Sequence, residues 1–201
     1  LGNADALFAR ARAKLCELGW WGPQTVVVVV GDGAEWIWKR AQKFPNRCEI
    51  LDFWHALEYA WDFAKQYWGA EAPATVAWIT RIAHQLKAGQ VEEVIAFLKA
   101  MPVPATGDVS KAWKALIDYY ETHAARMRYD EYLRLGYGIG SGAVESAHKR
   151  VVHARLRQAG MRWSELGAQH LLALRQLLLN GQWSSVADRL RMQRLSVQSA
   201  A

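Results

Sequence analysis

Three carboxylates stand where their neighbours in the chain give them something to do. Glu145 opens a basic stretch, and because positions four apart share a helical face, Glu145, Lys149, His153 and Arg157 fall on one stripe. A single acid followed by basic groups suits a carboxylate that holds a metal ion beside side chains that hold phosphates. The same spacing also fits an ordinary Glu-to-Lys pair on a solvated helix. Asp32 follows a run of valines and lies between Gly31 and Gly33, where it serves either as an acid at the mouth of a site or as a turn residue. Asp52 directly follows a second β-prone segment and is placed either to act near Asp32 or to cap the next helix. His55 completes an Asp-x-x-His spacing, which a metal pair and a plain histidine at a helix start satisfy equally.

The elements that must position these groups follow from periodicity. Thr25-Val-Val-Val-Val-Val30 has no alternation, so both its faces are expected to be buried, as in a central strand of an α/β sheet. Arg47-Cys-Glu-Ile-Leu51 is a second strand, and in open parallel sheets ligands bind beyond the carboxyl ends of the strands, where Asp32 and Asp52 fall. Helices are expected over residues 5–18, 34–44 and 53–68, the last with Trp54, Trp61 and Trp68 recurring every seven residues as a core stripe with Leu57 and Ala64. Residues 74–98 read as two helices broken at Gly89. A helix over residues 109–126 turns Trp113, Leu116, Ile117 and Tyr120 inward. His84 and His123 have no acid or cysteine at ligand spacing and read as structural. No strand signal follows residue 51. Gly138, Gly140 and Gly142 form a bendable loop, with Ser141 as N-cap of the helix that carries Glu145. Ser164 caps a helix over residues 165–179, and residues 183–195 form a last amphipathic piece with Arg189, Arg191 and Arg194.

With 201 residues and 52% apolar content the chain can bury a full core. Its net charge of +6 is unevenly placed: from Ser141 onward there are nine Lys or Arg against three Asp or Glu, which accounts for the whole excess. Such asymmetry is the footprint of a polyanionic partner such as nucleic acid, and an acidic protein would also satisfy it. No apolar run reaches the length of about eighteen residues that a membrane span needs, and no signal segment opens the chain. The expectation is a soluble, cytoplasmic protein without membrane partners. Cys16 and Cys48 lack C-x-x-C spacing and read as packing residues.

Five blocks in order resemble insertion-sequence transposases of the ISKra type: 25–38 (TVVVVVGDGAEWIW), 50–58 (ILDFWHALE), 126–130 (RMRYD), 139–146 (IGSGAVES) and 160–163 (GMRW). The match covers nearly the whole chain. That group looks like the DDE transposases, whose ribonuclease H-like core binds divalent metal through two aspartates and a glutamate. The resemblance implies an α/β, mostly helical fold: an incomplete ribonuclease H-like core with two predicted strands, and a large all-α insertion before the catalytic glutamate helix. Residues 1–70 would be part of the core, 71–135 the insertion, 136–180 the glutamate helix and returning core helices, and 181–201 a basic C-terminal helix and tail. Carried over residue by residue, Asp32 is the second aspartate and Glu145 the glutamate, both catalytic and metal-binding. Asp52 and His55 match an Asp/Cys-x-x-His motif near the active site. The first aspartate has no equivalent here, since in the family it lies on a strand upstream of the helix with which this chain opens. The chain then corresponds to a transposase's C-terminal part. The implied activity is DNA transposition by metal-dependent phosphoryl transfer with two Mg²⁺ or Mn²⁺ ions. Lys149, Arg150, His153, Arg155, Arg157 and Arg162 would grip the DNA, with His148 on the same surface. A homodimer or higher synaptic oligomer in the nucleoid is the expected assembly. The alternative is a remnant that binds DNA or a protein partner without cutting. A small-molecule enzyme is a distant option, because Gly31-Asp32-Gly33 is not the G-x-G-x-x-G fingerprint.

Overall fold

The computed structural model describes residues 3–157 and 159–198. Among these residues the fold is mostly helical, with two parallel strands. It divides into two compact units, Leu1–Ser141 and Gly142–Ala201, so the segments read as core and insertion lie in one unit.

In the first unit α1 (Ala4–Glu17) leads to β1 (Val27–Gly31), α2 (Glu35–Ala41), β2 (Arg47–Leu51) and α3 (Phe53–Trp68). The strands pair in parallel from Val27 opposite Arg47 to Gly31 opposite Leu51, and the Asp52 N–H extends the ladder to the Gly31 carbonyl at 2.7 Å. Among the described residues β1 pairs with β2 alone. Val27 to Val30 are half-buried, whereas Ile50 and Leu51 of β2 are fully buried. The expectation that both faces of the valine run are buried is therefore met only in part. The difference lies in what covers each strand, since both have a single strand neighbour: Ile50 and Leu51 belong to the main core, whereas Val28 to Val30 pack at its edge.

The helical block follows as α4 (Pro73–Lys87), α5 (Val91–Lys99), α6 (Asp108–His123), a 3₁₀ turn (Ala124–Arg126) and α7 (Tyr129–Arg134). Buried tyrosines tie this block to the strands, with the Tyr120 hydroxyl donating to the Ala56 carbonyl of α3 at 2.9 Å and that of Tyr129 to the Leu51 carbonyl at 3.1 Å. Along α3 the buried stripe is Phe53, Ala56, Leu57, Ala60, Phe63 and Ala64, while Trp54 is 60% exposed. A helix repeats every 3.6 residues, so a strict seven-residue tryptophan series drifts off the core face. Trp61 and Trp68 still pack half-buried against the core. Cys16 is exposed rather than packed, and α1 as a whole buries no residue.

The second unit holds α8 (Gly142–His148), a π-helical turn (Lys149–His153), α9 (Ala154–Leu156), α10 (Glu165–Leu179) and α11 (Trp183–Gln198). Ser164 caps α10 as expected, accepting from the Gly167 N–H at 3.1 Å. None of the described side chains of this unit is buried, and the main hydrophobic core lies wholly in the first.

Candidate site at the carboxyl ends of the strands

Asp52 is held by its surroundings on both oxygens. It is 1% exposed and caps α3, its Oδ1 accepting the Trp54 N–H at 2.8 Å and the His55 N–H at 3.2 Å. Its Oδ2 accepts the Ser141 N–H at 2.6 Å, from a residue far along the chain. Burial pushes this carboxyl up, but the side-chain and backbone bonds from Ser141 and the two amides of α3 outweigh it and hold the group below the usual carboxylate range. The cap alternative is what the fold uses. The loop before α8 is pinned to the same helix end, because the Phe53 N–H donates to the Ile139 carbonyl at 2.8 Å. A Cβ at Gly140 would fall 2.9 Å from Cδ1 of Trp54, so a larger residue there would have to displace that exposed ring. The His55 ring takes no part in the Asp-x-x-His pairing. Its Nδ1 faces Glu58 Oε2 at 2.9 Å.

Asp32 differs from Asp52 in being exposed. Its Oδ1 accepts the Ala34 N–H at 3.0 Å, and Oδ2 has no hydrogen-bond donor among the described residues. The backbone that presents it is fixed from α6. The Tyr119 hydroxyl donates to the Asp32 carbonyl at 2.7 Å, and Gly33, at φ +95°, backs onto the same helix. A Cβ at Gly33 would lie 2.8 Å from His123 Nε2 and 3.0 Å from the Tyr119 ring. Two effects thus demand glycine here, left-handed backbone and close approach.

Around this loop lie groups that sequence reasoning missed or set aside. The Tyr119 ring stacks on Tyr59 of α3, centroids 3.9 Å apart and planes 12° off parallel, and meets His123 edge-on at 4.8 Å. Burial, with the nearby Tyr59, Asp32, Asp52 and Glu58, pushes the Tyr119 hydroxyl up, so it remains a donor. His123 is 6% exposed, its Nδ1 has no hydrogen-bond partner, and burial followed by the Arg126 charge holds it below the usual histidine value. Arg126 lies over the Trp38 ring and also bonds Glu49 at 2.8 Å. Tyr59 and Tyr119 are separated by sixty positions, so nothing local in the sequence pairs them.

In the second unit Glu145 is exposed on α8, and Lys149, Arg150, Arg155, Arg157 and Arg162 are exposed as well. The stripe expected of a regular α-helix is interrupted by the π turn, whose wider winding instead brings residues five apart together, with the His148 and His153 rings at 4.4 Å. Loss of solvent and the neighbouring His148, Arg157 and Lys149 push His153 below its usual value. Arg175, which the sequence did not single out, reaches back from α10 and donates to the carbonyls of Arg150 and Val151. Among the described residues no group of three or more His, Cys, Asp or Glu side chains is gathered so as to hold a metal ion by itself, and no helix is long and apolar enough to cross a membrane.

Comparison with protein families, with curated proteins and with solved structures found no match to this chain.

Proposed function

We propose that the chain belongs to a DNA transposase acting by metal-dependent phosphoryl transfer, with Asp32 and Glu145 each a metal ligand and the basic residues from Lys149 to Arg162 gripping the backbone. The reading is carried by Asp32: an exposed carboxylate at the end of a parallel strand, on a clamped loop, with one oxygen left over. Its donor chemistry fits, because Mg²⁺ takes hard oxygen ligands and is commonly held by one or two carboxylates together with waters and substrate phosphates. Asp52 does not fit as a ligand, both its oxygens being spoken for. When bound, the ions would activate an attacking hydroxyl and stabilise the leaving oxygen. The chain's own contribution is to hold Asp32 still through Tyr119 and Gly33 and to supply cationic side chains that position DNA without reading its sequence.

The test is strand cleavage or transfer on DNA carrying candidate element ends, with Mg²⁺ or Mn²⁺, using this chain and a version extended upstream. Asp32→Asn and Glu145→Gln should each abolish cutting, and the double variant should be no worse than the poorer single one, as for residues acting as a unit. Cutting that survives Glu145→Gln disproves the assignment. A second reading, binding without cutting, is favoured by the full engagement of Asp52 beside Asp32. It predicts salt-sensitive DNA affinity and no cleavage in either form.

A further inference from the structure

The stack of Tyr59 on Tyr119 is a feature that the acids and basic side chains of the proposed activity leave unused. Tyr119 is fixed at three points: its hydroxyl on the Asp32 carbonyl, its ring edge on His123, and one face on Tyr59. Tyr59 is thereby backed on one side by a ring held in place, and it remains 40% exposed. On the same helix His55 lies four residues before it, and its Nδ1 meets Glu58 Oε2 at 2.9 Å. An aromatic face held parallel and preorganised costs little entropy when a flat ring is laid on it.

We propose that Tyr59 is a stacking platform for an unpaired nucleobase, placed so that the strand carrying it passes Asp32. The inference rests on the reading of the chain as a nucleic-acid enzyme and names its substrate more closely, as a single-stranded or frayed end and not intact duplex. Within a duplex each base face is already covered by its neighbours, whereas an unpaired base of any identity can offer a π-face. The carboxyl ends of parallel strands are also where ligands of open sheets bind.

The experiment uses the full chain with Mg²⁺ and a short single strand containing 2-aminopurine, whose fluorescence falls when it stacks, against the same strand in a duplex. Wild type and Tyr59→Phe are expected to quench the single strand. Tyr59→Leu, which keeps the apolar bulk without the ring, and Tyr59→Ala are expected to lose the quenching and about tenfold or more in single-strand affinity, with duplex affinity little changed. Circular dichroism of the two variants confirms that the fold is kept. Quenching and affinity of Tyr59→Leu equal to wild type overturn the platform while leaving the nucleic-acid reading intact. Failure of the wild-type chain to bind either DNA at low salt overturns that reading, and the platform with it. Loss of binding but unchanged quenching per bound strand in Lys149→Gln/Arg150→Gln separates backbone grip from stacking and supports both.

Discussion

Asp52 and His123 share an environment that disfavours one protonation state, and both make the protein sensitive to acid. For His123 the neutral ring is the folded form. The unfolded chain takes up a proton near pH 6.5, while the folded one does so only at lower pH, so stability falls as pH drops below about 6.5 through the depressed folded value. For Asp52 the ionised form is the folded one. Its contribution is complete above about pH 3.9 and is lost as pH falls through the lower folded value. A plot of unfolding free energy against pH should therefore descend below about pH 6.5 and again below about pH 3.9, the upper descent reduced by His123→Gln, with His153 contributing to what remains, and the lower reduced by Asp52→Asn. An upper descent unchanged by His123→Gln would show that another group titrates there. Asp52→Ala removes a helix cap and a buried bond to Ser141, and should cost about 2–4 kcal/mol in denaturant unfolding. Tyr119→Phe keeps the stack on Tyr59 and loses only the bond to Asp32, costing about 1 kcal/mol. The chemical identity of these residues was plain in the sequence. Their partners were not, because Asp52 and Ser141, or Asp32 and Tyr119, meet only after the helical block has folded back.

At the level of elements, the two strands and the helices that follow them were legible from β-branched content, periodicity and glycine breaks, and β2 and α3 have the predicted limits. Two features were not. The π turn from Lys149 to His153 carries no composition signal, and its carbonyls at Arg150 and Val151 are taken by a guanidinium from another helix. The second is the β1–α2 turn, where Gly33 answers to a helix far along the chain and not to the turn alone. Gly33→Ala should therefore cost about 1–3 kcal/mol, from left-handed strain together with the clash on His123 and Tyr119. Replacing Gly142, whose Cβ would meet nothing within 4 Å, should cost much less in the same chemical-denaturation measurement.

At the scale of the whole molecule, the first unit holds the main core and the second holds the charge excess. Residues 1–141 expressed alone should unfold cooperatively, followed by tryptophan fluorescence, since Trp38 and Trp78 are buried there. Residues 142–201 alone should show helical signal without a cooperative transition, because none of its described side chains is buried. If the basic residues grip phosphates, neutralising Lys149 and Arg150 should lower the slope of log affinity against log salt by about 2, at roughly 0.9 for each phosphate no longer neutralised. A slope that does not change assigns those charges to solvation.

By itself the sequence determined which residues are chemically able, which segments are strands and helices, and where the charge lies. Those properties depend on residue type and on spacing within a few positions, which a linear chain displays. Tertiary structure decided what each able residue is occupied with. It spent Asp52 on a cap and on Ser141, left Asp32 open beneath Tyr119, and turned Trp54 outward. Hydrogen bonds and burial between positions sixty or ninety apart are settled by packing, and no local pattern encodes them.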